Sequence, residues 1–321
     1  MTAVRETAFD ELLDPIDGIE NVLKEVTAEP KLEQPRLLFL RMHAEEPQVD
    51  ALAELLTDLL VDYAIPLKKR QQANVVGINS KTRGRTATHM RLYREAKRLL
   101  IEYEEANRGR YGELGELLSF AVAIHYLGAA QVGSKMALKT SRGMPVHGVD
   151  GLHVRPNEDG TVTFFVLESK IVPNAADASR DMVESITDYR ADRGKKLNEL
   201  RLIHDLSNLD ALSEEQREVA KSFFNVYEGS GSHLRRRDIH VGSLVFSEDA
   251  YKDRLPVDHS KPITIHEDHV EEQYKAKHSR FMENLTRQAE AKKLDLGNCI
   301  VFLIAVPDVN ELKRIFSELN K

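Results

Sequence analysis

The sequence predicts an α/β layer architecture, with helices packed on a mixed sheet. Three observations carry that expectation. Residues 48–63 place Val49, Leu52, Leu55, Leu56, Leu59 and Leu60 at helical spacing. Residues 161–172 are rich in Thr, Val and Phe and lie between Gly160 and Pro173, which is a strand signature. Residues 298–306 form a continuous apolar run of central-strand character, and Asp308 then stands where a terminal helix needs its N-cap.

The remaining elements follow in order. Residues 1 to about 32 are acidic with weak helical spacing (Ile19, Val22, Leu23, Val26), and 37–42 reads as a short buried strand. Pro66 stops the 48–63 helix, a glycine-containing loop spans 80–85, and a helix runs on through Leu100. The Asn107, Arg108, Gly109, Arg110 cluster divides an amino-terminal α/β region, 1–105, from a second domain, 106–321. There, Leu114, Leu117, Leu118, Ala121, Val122 and Ile124 form the apolar side of a helix that ends near Tyr126 and is stopped by Gly128. Strands are expected at 136–140 and 148–155, a turn at 157–160, the strong strand at 161–172, and helices at 176–191 and 195–206. A strand at 238–246, a charged helix at 269–292, the apolar strand and the terminal helix complete the chain.

Of the 321 residues, 41% are hydrophobic and 30% charged, as in an ordinary globular protein, and no apolar run approaches the ~20 residues that span a bilayer. The first residues show no export signal, and Cys299, the single cysteine, lies in an apolar run and cannot form an internal disulfide. A cytoplasmic protein with an inert buried thiol is the expectation. The net charge is −7, unevenly spread. Residues 66–98 hold ten Lys or Arg against Glu95 alone, so this segment carries +9 and the remainder −16. A basic stretch on an acidic body suits phosphate recognition, with Arg83, Arg85 and Arg91 as contacts, although a solvated helix face has the same composition.

The chemistry concentrates at Glu168, Ser169 and Lys170. Residues two apart in a strand share a face, so Glu168 and Lys170 point the same way, ~6.6 Å apart along the chain. Charges at the end of an apolar strand are costly unless they are paired or bind something. Asp150 lies eighteen residues earlier, at the start of the neighbouring strand of an expected hairpin, which can bring it across from Glu168. Two carboxylates offer hard oxygen ligands to Mg²⁺ or Mn²⁺, and a lysine can hold an attacking water or offset developing charge. A further acid is expected from the preceding helix, Glu116 with Glu113 in reserve. This set, Glu116, Asp150, Glu168 and Lys170, is suited to phosphodiester hydrolysis, with Asp150, Glu168 and Glu116 as metal ligands. Lys139 leads toward the site and can contact phosphate. His147 and His153 flank Asp150 and read as structural, with a phosphate contact as the alternative, the 266–269 His-Glu-Asp-His segment as a solvated turn, and Arg235, Arg236 and Arg237 as either a DNA contact or a loop. Residues 128–133 lack the Gly-Lys-Ser/Thr ending of a phosphate loop, which argues against ATP hydrolysis.

The order Glu, Asp, Glu-x-Lys on helix, strand, strand resembles the PD-(D/E)xK, or restriction-endonuclease-like, superfamily, and implies its mixed sheet flanked by helices. Four words around the site are similar to the HamA family of Hachiman antiphage defence systems: residues 110–116 (RYGELGE), 135–140 (KMALKT), 147–153 (HGVDGLH) and 167–170 (LESK). The resemblance implies DNA cleavage held in check by a superfamily-two helicase partner, HamB. It carries the family's Glu-x-Lys pair onto Glu168 and Lys170 and its upstream Asp onto Asp150. Two other readings stand beside it: a nuclease-fold adaptor that binds DNA or a partner without cutting, and a stand-alone restriction-type endonuclease.

Overall fold

The structure, a computed structural model, describes residues 9–26, 34–79, 84–106, 112–133, 150–192, 194, 196, 208–225 and 235–321, with 76–79, 84, 85 and 102–106 described by their backbone alone. The strands among them are β1 (Leu23–Glu25), β2 (Arg36–Leu40), β3 (Met42–His43), β4 (Glu46–Pro47), β5 (Ala130–Gly133), β6 (Gly151–Pro156), β7 (Val162–Ile171), β8 (Arg236–Ser247) and β9 (Cys299–Val306). The α-helices are α1 (Ile19–Val22), α2 (Val49–Asp58), α3 (Leu60–Ala64), α4 (Leu67–Asn79), α5 (Gly84–Ala106) and α6 (Gly112–Leu127). After β7 come α7 (Ala175–Ala191), α8 (Glu214–Ser222), α9 (Ile265–Lys275), α10 (His278–Lys292) and α11 (Val309–Leu319).

The expected mixed α/β fold is what the chain adopts. Seven strands form one sheet in the order β1-β2-β9-β8-β7-β6-β5, and β3 and β4 form a small separate ribbon. The centre, β2-β9-β8-β7, is parallel, and β1, β6 and β5 are antiparallel to their neighbours. Parallel strands are buried on both faces, which is why β7 and β9 are near-continuous apolar runs. One face carries α6, whose Ser119 hydroxyl lies 2.9 Å from that of Ser243 on β8, with α11 entering behind Ser247. The opposite face carries α7 and α10, and Phe246 there packs on Tyr274 and Phe281. Alternation in β7 splits its side chains between two apolar clusters: Phe165 and Leu167 join the large core, while Val162, Phe164 and Val166 join Phe9, Phe223 and Phe224. Strands β1 and β2, from the amino-terminal region, extend the same sheet beyond β9.

Several elements differ from expectation. The 48–63 helix breaks at Leu59 into α2 and α3, and the turn sets Tyr63 against Phe120 of α6. Pro66 ends one helix and begins another, because a residue without an N–H fits the first turn of α4. Leu23 continues not as helix but as β1, since pairing with β2 satisfies an extended backbone that a single helical turn cannot. The 269–292 helix starts earlier, at Ile265, and divides at Ala276 and Lys277, where the Lys277 ammonium turns in to Glu248. The histidines read as a solvated turn therefore open α9, with His266 buried and His269 against Asp253. Strand β5 and helix α8, which has a Ser213–Gln216 capping box, had no periodic apolar signal long enough to be read. The strand expected at 136–140 and the 107–110 boundary lie outside the described residues, as does all but residue 196 of the 195–206 helix.

Candidate active site

The site forms where the β6–β7 hairpin ends. In the hairpin register Gly151 faces Leu167, so Asp150 stands one residue beyond the last pair, level with Glu168, with its N–H donated to the Leu167 carbonyl at 2.9 Å. The hairpin is closed at its other end by the expected turn, in which Gly160 takes a φ of +71° and donates to Asn157 at 2.9 Å. Asp150, Glu168 and Lys170, expected together from the sequence, are brought together.

Glu168 and Lys170 share the face covered by α7. The Lys170 ammonium donates to Glu168 Oε1 at 2.5 Å, and both side chains are largely enclosed. Burial pushes the Glu168 carboxyl above its usual range and the Asp150 charge pushes it further; Lys170 and a hydrogen bond with Ser185 of α7 act against that rise. The Asp150 carboxylate reaches the other way, its Oδ2 accepting from the Ser169 N–H and the Ser169 hydroxyl, each at 2.7 Å. Sequence reasoning missed Ser169 and Ser185. The available signal for Ser169 was a hydroxyl alternating with Leu167 and Ile171 on a face that has to be buried.

Two glycines let helices close on this segment from both sides. A Cβ at Gly242, which pairs with Glu168 across the β7–β8 ladder, would fall 1.9 Å from Met182 Sδ, so the missing side chain makes room for Met182 of α7 as it lies. A Cβ at Gly115 of α6 would fall 3.1 Å from the Ser169 hydroxyl on the opposite face.

Glu113 and Glu116 are buried in the first turns of α6. Tyr63 of α3, also fully enclosed, donates its hydroxyl to Glu116 Oε2 at 2.6 Å. Burial raises the Tyr63 phenol well above its ordinary value, and the charges of Glu116, Asp150 and Glu113 raise it further. Glu116 therefore stands with Asp150 on the α6 side, while the Glu168 side chain faces α7 across the sheet. Among the described residues no three carboxylate, imidazole or thiol groups come together at metal-ligand spacing. Asp150 and Glu168 are the hard-oxygen donors that could hold a divalent ion, since burial raises the Glu168 carboxyl and the Asp150 charge, which a cation would offset, raises it further.

Other expected residues separate from this centre. His153 is fully buried, its Nδ1 2.8 Å from the Ala129 carbonyl, and burial lowers its pKa to about 4. Cys299 is buried, which raises its thiol to about 11 and makes it inert. Arg236 pairs with Asp238 at 2.7 Å and Arg237 with Asp159, so both are committed at the start of β8. Within the basic segment, Lys69 pairs with Glu95 at 2.6 Å and Arg70 with Asp14 and Asp62. Arg91, Arg94 and Arg98 are exposed on α5 at helical spacing. Lys139, His147 and Arg83 lie outside the described residues, and the Arg85 side chain is not described.

Fold and site together define a mixed α/β protein with a carboxylate–lysine pair at the carboxyl end of a central strand and a second carboxylate beside it. The family model named HamA matches residues 18–319 of the 321, and the chain belongs to that family, one of antiphage defence. No curated protein and no solved structure gives a significant match. No helix among the described residues is long and apolar enough to cross a membrane.

Proposed function

We propose that this chain is a divalent-metal-dependent DNA nuclease, the effector of an antiphage system that works with a helicase partner. One observation carries the reading: Asp150, Glu168 and Lys170 meet at the end of β7, with the Glu168 carboxyl raised by burial and by Asp150 and held by Lys170. Asp150 and Glu168 would hold Mg²⁺ or Mn²⁺, and the bound ion would lower the pKa of a water and offset charge on the phosphate. Lys170 is kept beside the carboxylates by Glu168, where its ammonium orients the attacking water and stabilises the charge that develops on phosphorus-bound oxygens. Glu116, whose carboxylate accepts from Tyr63, would join as a third acid acting alongside Asp150. Arg91, with Arg94 and Arg98, supplies an exposed basic stripe for DNA phosphates, and Arg83, Arg85 and Lys139 are assigned to the same task.

The test is cleavage of DNA by the purified chain, alone and with its helicase, in Mg²⁺ or Mn²⁺. Lys170→Ala and Glu168→Gln should each lower the rate on the order of 10²–10³-fold or more while the protein remains folded. Wild-type cutting by Lys170→Ala would remove the assignment, and DNA binding by the wild type with no cutting under any condition would make the chain an adaptor.

The amino-terminal region is proposed to dock on the helicase. Its helices α4 and α5 expose Val75 and Met90, and α5 also carries the arginine stripe, apolar and basic features of the kind partners cover. The complex would stay quiet until the helicase engages DNA and uses ATP. Strong cutting by the intact complex without ATP, unchanged on adding it, would refute the gating and leave the catalytic assignment standing.

A further inference from the structure

We infer that Ser169, the residue between Glu168 and Lys170, is a positioning residue that fixes the Asp150 carboxylate for metal binding, with Gly115 of α6 holding its hydroxyl in place from behind. The inference rests on the metal-site reading above and names the part of the chain that sets one of its two ligands.

Asp150 lies outside the hairpin ladder. Its backbone N–H is donated to the Leu167 carbonyl, and nothing in that bond determines where the side chain points. Ser169 does. Its N–H and its hydroxyl both donate to the same oxygen, Oδ2, at 2.7 Å. The N–H bond is at the short end for its type and the hydroxyl bond is at its usual length. Two donors converging on one oxygen fix the carboxylate plane, and with it the direction of Oδ1.

The hydroxyl in turn has little freedom. Ser169 is buried on the face of β7 that carries Phe165, Leu167 and Ile171, and a hydroxyl there is costly unless it is bonded. Gly115 lies directly against it: even one added carbon at that position would come within 3.1 Å of Oγ and 3.4 Å of Cβ. The helix that carries Glu113 and Glu116 is thus seated on the serine that orients Asp150. A shift of α6 is transmitted to Asp150 through one side-chain contact. Groups that orient a metal ligand from behind in this way are typically worth about 10- to 100-fold in metal affinity.

The experiment is calorimetric titration of the full chain with Mn²⁺, paired with the Mn²⁺ dependence of DNA cleavage. Ser169→Ala should weaken Mn²⁺ binding about 10-fold or more and raise the half-saturating Mn²⁺ for cleavage by the same factor. Its rate at saturating metal should stay within about threefold of wild type. Gly115→Ala should shift both quantities in the same direction by less. Ser169→Cys, which keeps the size with a weaker donor, should fall between, and it carries the test if Ser169→Ala does not fold. In an Asp150→Ala background, Ser169→Ala should change metal binding no further, because its effect passes through that carboxylate. A lowered melting temperature and rate with an unchanged Mn²⁺ affinity, or a further 10-fold loss without Asp150, would overturn the inference. If instead Asp150→Ala and Glu168→Ala bind Mn²⁺ and cut DNA like wild type, it is the metal-site reading that fails.

Discussion

From residue 162 to 167 β7 is buried on both faces, whereas residues 168 to 170 carry a carboxylate, a hydroxyl and an ammonium in succession. The first stretch is held mainly by packing: Phe165 and Leu167 enter the large core and Phe164 and Val166 the smaller one, with the Thr163 hydroxyl bonded to Asn157. The second is held by specific partners, with Lys170 and Ser185 on Glu168 and Ser169 on Asp150. A single strand thus passes from a region that contributes stability to one that spends some of it. Buried charge that remains unfavourable even with a partner is common where a site must bind an ion or a substrate.

The difference can be broken first at its apolar end. Phe165→Ala removes a ring buried on the core face and should cost about 3–5 kcal/mol, read as a lowered urea midpoint at unchanged slope. A loss below about 1 kcal/mol would mean that the first half of β7 is not the anchor its burial indicates.

A second effect comes from His153, one strand away. Its imidazole stays neutral in the folded protein down to about pH 4, while the unfolded chain takes up the proton below about 6.5. Stability from this group is therefore complete above pH 6.5 and is lost as pH falls through 4, on the order of 3 kcal/mol across the window. Urea titrations of wild type and His153→Gln from pH 7 to 4.5 should show a shallower acid loss in the variant. Parallel curves would assign the loss to other groups.

At the polar end the sign reverses. Because the folded Glu168 carboxyl is raised, its ionised form is disfavoured, and stability from this group is present below the ordinary carboxylate range and lost as pH rises above it. Glu168→Gln should accordingly gain melting temperature relative to wild type as pH rises from 4 to 7. A variant that becomes relatively less stable over that range would show that the pair with Lys170 is a net stabilising ion pair.

The smallest structural effect is expected at the exposed stripe. Arg91→Ala, Arg94→Ala and Arg98→Ala, made together, should leave stability within about 0.5 kcal/mol and lower the salt slope of DNA binding by roughly one for each phosphate no longer neutralised. An unchanged slope would make α5 a solvated face.

Much of this molecule follows from local signals in the sequence. The alternating and continuous apolar runs specify β7, β8 and β9, and Asp308 caps α11 as a side chain of that type should. The Glu-x-Lys spacing puts Glu168 and Lys170 on one face of a strand whatever surrounds it, and the turn at Gly160 brings Asp150 level with them. Tertiary structure decided the rest. Whether residues 23–25 are helix or strand depended on an edge offered by β2, and the break at Leu59 depended on where Tyr63 could bury. The partners of each acid were likewise set by packing. Ser169 alternates onto the α6 face and finds Asp150, Gly115 and Gly242 admit helices whose approach no periodicity encodes, and Glu116 turns to Tyr63, which is 53 residues away in the chain. Periodicity assigns a side chain to a face, but which groups meet across that face depends on the distance between elements, and that distance is fixed only when the layers pack.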